Sequence, residues 1–188
     1  HEYAYRLRVG DEQPDYSLRV VPSSISIPQN GSAVITVHAL RKAGFDGPIK
    51  LTLEDAPNGI ELNRAIIPAG EDKIQVTLFA ADLEIGELAG IEIKGAARIK
   101  TRMVRRLAVP AEDMMQAFLW RHLVTAQELL IRVTEPMPIS VRLGLPDEGF
   151  IEARPGEEVR ISADVFRKKA KGGLKLSLSN APEWVSLK

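Results

Sequence analysis

Apolar and polar residues alternate with a period of two along most of this chain, and no other feature constrains its fold as much. A β-strand turns successive side chains to opposite faces, so strict alternation marks a strand with one face in a core and one in water. Ile35, Val37 and Ala39 alternate with Thr36 and His38, and Ile49, Leu51 and Leu53 with Lys50 and Thr52. Ile74, Val76 and Leu78 alternate with Gln75 and Thr77, and Ile91 and Ile93 with Glu92 and Lys94. Turn-forming clusters separate these runs: Pro28-Gln-Asn-Gly31, Gly44-Phe-Asp-Gly-Pro48, Ala56-Pro-Asn-Gly59 and Pro68-Ala-Gly70. The spacing predicts strands near 16–21, 24–28, 33–40, 48–54, 60–67, 73–80, 88–95 and 98–108. Short strands with a turn every 8–12 residues are the pattern of a β-sandwich.

Composition narrows the function classes. The chain has 188 residues, 45% of them apolar, enough to fill a core. Its 25 Lys and Arg balance 25 Asp and Glu, which weighs against nucleic-acid binding, a function that favours a basic balance. The absence of Cys excludes disulfides, zinc–thiolate sites and thiol catalysis. No apolar run approaches the roughly 18 residues of a membrane helix. The opening His1-Glu-Tyr-Ala-Tyr5 resembles neither a signal peptide nor a transit peptide.

The organisation reads as four parts. Residues 1–13 hold a strand, with Tyr3, Tyr5, Leu7 and Val9 alternating with Arg6 and Arg8, and then a linker; the strand is expected either to close a preceding domain or to pair onto an edge of the first sandwich. Residues 14–109 form the first sandwich. Residues 110–134 form a connector: Pro110 followed by Glu112 and Asp113 suits a helix start. A short helix near 111–122 and a strand near 127–134 are expected, with Met115, Phe118 and Trp120 packing between domains. Residues 135–188 begin a second sandwich that repeats the first. Gly31, Ile49-Lys-Leu51 and Ala56-Pro57 match Gly156, Leu174-Lys-Leu176 and Ala181-Pro182 at a separation of 125, while Ile35, Val37, Ala39 and Arg41-Lys42 match Ile161, Ala163, Val165 and Arg167-Lys168 at 126. The change in separation falls in turns, where a strand register tolerates it. Projected from the first copy, the second is expected to be incomplete at Lys188, its remainder supplied by further sequence or another chain.

Val21-Pro-Ser-Ser-Ile25, Asn30-Gly31 before a β-branched strand, Ala56-Pro-Asn-Gly-Ile60 and Ile67-Pro-Ala-Gly70 ahead of Lys73-Ile-Gln-Val-Thr77 resemble a bacterial immunoglobulin-like module of extracellular multidomain proteins. Tyr3-Ala-Tyr-Arg-Leu7 is similar to the last strand of a pre-peptidase C-terminal domain, which often precedes such modules. The resemblance implies an all-β chain of tandem Ig-like or fibronectin-III-like sandwiches, with the short helix confined to the connector. It also implies a secreted, periplasmic or cell-surface location and a non-catalytic role in spacing, presentation or adhesion. The alternative it leaves is an accessory polysaccharide-binding module attached to a hydrolase or protease elsewhere in the parent chain.

The residues give no catalytic, cofactor or metal site. His38 lies on the polar face of its strand and its repeat counterpart is Asp164, which points to a solvated side chain; neither H-x-x-x-H nor H-E-x-x-H occurs. No G-x-S-x-G elbow is present. The adjacent acids Glu54-Asp55, Glu71-Asp72, Glu112-Asp113 and Asp147-Glu148 lack the facing geometry of a glycosidase and the loop spacing of a calcium site. Arg41-Lys42 and Arg167-Lys168-Lys169 recur before equivalent turns. These residues are the candidates for contact with an anionic polysaccharide or envelope polymer, beside other domains of the parent protein; the simpler reading is that they keep hairpin ends soluble.

Overall fold

The computed structural model describes residues 12–63, 65–81, 83–115, 120–144, 153–167, 172–173, 175–177 and 183–187, and these are all-β with no helix. The strands are β1 (Asp15–Val21), β2 (Ser24–Pro28), β3 (Gly31–Lys42), β4 (Ile49–Glu54), β5 (Ile60–Leu62), β6 (Ala65–Ile67), β7 (Lys73–Ala80), β8 (Leu88–Ile99), β9 (Arg102–Met115), β10 (Arg121–Thr125), β11 (Leu129–Thr134), β12 (Ile139–Gly144) and β13 (Ser162–Arg167). The first eleven form one open mixed sheet in the order β2-β11-β8-β9-β1-β3-β7-β5. β10 is added on β9, and β4 and β6 branch from β8. β12 and β13 form a separate two-stranded sheet.

β9 carries the sheet from one arm to the other. Its residues 102–107 pair antiparallel with β8, Ala108 to Pro110 pair parallel with β1, and Ala111 to Met115 pair with β10. The inward residues of both arms enter one core: Leu18, Val20, Ile35, Val37 and Leu78 from one side, and Ile27, Ile49, Ile93 and Ile131 from the other. Tyr16 ties the arms together. Its ring stacks on Phe45 at 5.3 Å, and its hydroxyl donates to the Gly95 carbonyl at 2.8 Å and accompanies the Val104 carbonyl at 2.9 Å. Burial holds the Tyr16 hydroxyl above its ordinary pKa, so it stays a donor. Gly95 leaves room for this crossing, since a Cβ there would collide with Leu18 Cδ1 and lie 2.9 Å from Ile49 Cγ2. Tyr16→Phe removes that donor from both carbonyls and is expected to cost about 1–2 kcal/mol, read by chemical denaturation.

The helix expected over 111–122 is not there. Residues 111–115 finish β9 and 121–125 form β10, paired from Ala111↔Thr125 to Met115↔Arg121. Ala, Glu and Met favour a helix in isolation, but Leu123, Val124 and Thr125 offer a β-prone partner strand, and pairing overrides weak local propensity. Asp113 and Arg121, two positions apart in the ladder, close a 2.9 Å salt bridge. The strand expected near 127–134 exists as β11. It lies inside the sheet, parallel to β2 and antiparallel to β8.

The β12–β13 ladder has a notable register. Ile139, Val141 and Leu143 stand opposite Arg167, Val165 and Ala163. In the first arm, Tyr16, Leu18 and Val20 stand opposite Arg41, Ala39 and Val37.

Candidate functional site

The alternation that builds β3 also decides what its basic end can do. Ile35, Val37 and Ala39 face the core, so Arg41 falls on the inward parity and Lys42 on the outward one. Arg41 keeps only 11% of its side chain exposed. Its guanidinium lies 5.3 Å over the Phe45 ring and donates to three backbone carbonyls that close neighbouring turns. Nη1 reaches Gly47 O at 2.7 Å, Nη2 reaches Pro68 O at 2.9 Å and Glu71 O at 2.8 Å, and Nε reaches Glu71 O at 3.1 Å. Asp72 Oδ1 stands 3.7 Å from Nε. Arg41 is therefore a turn clamp, while Lys42 is exposed at the strand end. Arg167 repeats the gesture, donating through Nη1 to Gly172 O at 2.6 Å. Lys168 and Lys169 lie outside the described residues, as does Phe118. Met115 and Trp120 are 61% and 74% exposed.

The outward face of β1, β3 and β7 holds a cluster that sequence reasoning missed. Arg19 stands opposite His38, and His38 stands opposite Lys73. Val109 of β9 continues the row beside Arg19. Directly opposed residues on antiparallel strands hold their Cβ atoms about 4.5–5.5 Å apart, and like charges so placed repel. Burial, and then the Lys73 ammonium, press the His38 imidazole below its usual pKa, while Asp113 opposes them. Each residue alone reads as a polar side chain on the water-facing side of its strand. Only the register of three strands far apart in the chain brings them into one row.

A cleft of about 400 Å³ opens where β9 leaves β8. Ile91, Ala108 and Leu129 floor it, and Asp55, Glu92 and Glu128 rim it; its lining holds no hydroxyl, imidazole or cation. Among the described residues no group of three or more His, Asp or Glu is placed to hold a metal ion. No family model, curated protein or solved structure matches the chain.

Proposed function

We propose that the chain is a non-catalytic, load-bearing structural module of a secreted or cell-surface bacterial protein, built from tandem sandwiches of the Ig-like or fibronectin-III-like kind. The carrying observation is how its terminal strands pair. β1 lies parallel to β9, through Leu18↔Ala108 to Val20↔Pro110, and β2 lies parallel to β11, through Leu130↔Ser24 to Thr134↔Pro28. Tension along the chain enters through β1 and β2 and leaves through β11. Parallel pairs joining the two ends are then loaded in shear, so their hydrogen bonds must fail together rather than one at a time.

The tandem reading is supported by the second hairpin. Matching its register to the first aligns Ser140 with Ser17 and Arg142 with Arg19 as well as the apolar positions. Carried back into the preceding turn, the 126-residue separation sets Gly156, at φ 83°, against Asn30, at φ 53°, in place of the Gly31 match expected from the sequence, and both are left-handed turn residues ahead of β13 and β3. The arginine-to-glycine carbonyl bond recurs as Arg41–Gly47 and Arg167–Gly172. Val141 and Val165, each 41% exposed, occupy the register positions of Leu18 and Ala39, which are core residues in the first arm.

Single-molecule pulling tests the reading, and a chain without Cys accepts cysteine handles cleanly. Handles at the chain ends are expected to give one abrupt release of residues 15–134 at several times the force needed with handles at Glu54 and Glu92. That antiparallel pair unzips bond by bond. Equal forces, or early peeling of 110–134, would overturn the proposal.

A further inference from the structure

We propose that the outward Arg19–His38–Lys73 row is a binding surface for a linear anionic polysaccharide, distinct from the turn-clamping arginines. The row runs across β1, β3 and β7 in direct register. The Arg19 and Lys73 cations flank an imidazole that burial and Lys73 hold neutral, and protonating it would set like charges directly opposite on both sides unless an anion lay across the row. Among the described residues no acid forms an ion pair with the row. Among the described residues Arg19 donates only to its neighbour's carbonyl, Leu18 O, at 3.0 Å.

The acid that His38 senses and the one at the far end of β1 are engaged elsewhere. Asp113 of β9, which His38 senses, is bound to Arg121 at 2.9 Å, and Asp15 at the far end of β1 is bound to Arg106 at 2.8 Å. The row spans roughly 10 Å from the first Cβ to the third, a length that meets successive charged groups of an extended polymer rather than a single ion. Val109 at one end supplies an exposed apolar edge for a sugar face. The surface belongs to the first arm alone, because the register counterpart of His38 is Asp164, opposite Arg142.

His38 makes the surface responsive to pH. In the free protein, burial and Lys73 favour the neutral imidazole, so the folded state resists protonation as pH falls below the ordinary histidine value near 6.5. A bound anion reverses that preference, and ligand and proton then bind together.

The test uses the full chain with dextran sulfate as probe and unmodified dextran as control. Expected is saturable binding of dextran sulfate alone, weakened by salt and about three- to tenfold tighter at pH 5.5 than at pH 8. Arg19→Gln with Lys73→Gln is expected to weaken it about tenfold while the melting temperature holds. His38→Gln is expected to keep the pH 8 affinity and lose the tightening at pH 5.5. Absent binding, unchanged affinity in the double variant, a loss produced only by Lys42→Gln, or pH dependence that survives His38→Gln would each overturn the proposal. The pulling experiment is indifferent to all of these, so the two readings fail separately.

Discussion

Ile131→Ala is expected to destabilise the whole unit spanning residues 15–134 by about 2–5 kcal/mol, the range for truncating a buried Ile. Ile131 is 1% exposed and belongs to the same core as Leu18, Val37 and Leu78. It stands between Ala89 of β8 and Ile25 of β2, so the cavity opens in the middle of a three-strand array. For a domain of this size the loss corresponds to a fall of roughly 10 °C in melting temperature. One cooperative transition should move, and hydrogen exchange should accelerate in β1 and β3, remote in the sheet order from the substitution. Val124→Ala in β10, at a site 41% exposed, is the control, with a change within about 0.5 kcal/mol. A melting temperature unmoved by Ile131→Ala would mean that β11 is an appendage that can be removed without loss.

That experiment bears on what could be read without coordinates. The strands were legible wherever the alternation was clean. Ile35, Val37 and Ala39 face inward as their spacing requires, and so do Ile49 and Leu51. The pairing of those strands was not legible, because alternation says which face a residue takes and nothing about which strand lies alongside. Leu129, Ile131 and Val133 announce a strand, yet their place between β2 and β8 depends on contacts about forty and a hundred residues away. The helix expected at 111–122 failed for a related reason: Pro110, Glu112 and Asp113 suit a helix start locally, and nothing nearby in the sequence shows that residues 111–115 pair with a strand at 121–125. At the candidate site, parity alone could have separated Arg41 from Lys42, since one shares the face of Ala39 and the other that of His38. The charge row needed a register across β1, β3 and β7, which a single sequence does not encode locally.

The second large effect concerns Arg41. Arg41→Ala is expected to cost about 2–3 kcal/mol, because a charged donor to backbone carbonyls contributes about 1.5–3 kcal/mol and its loss leaves Gly47, Pro68 and Glu71 carbonyls without that donor. The figure sits well below the sum of the bonds, since the Pro68 and Glu71 contacts are solvent-exposed and water replaces the guanidinium there. Arg41→Lys should recover little, because a single ammonium on a flexible stem cannot fork to carbonyls on separate turns while it also sits over the Phe45 ring. Lys42→Ala should change stability by no more than about 0.5 kcal/mol. Denaturant titration of the three variants ranks them. The ranking decides what the basic pair is for: a residue kept for a ligand loses binding and retains stability when truncated, and Arg41 is expected to do the reverse. Below its lowered melting temperature, Arg41→Lys should hold dextran sulfate as the parent chain does. If Arg41→Ala instead melts with the parent chain and releases the polymer, the guanidinium is a ligand contact and the turns close without it.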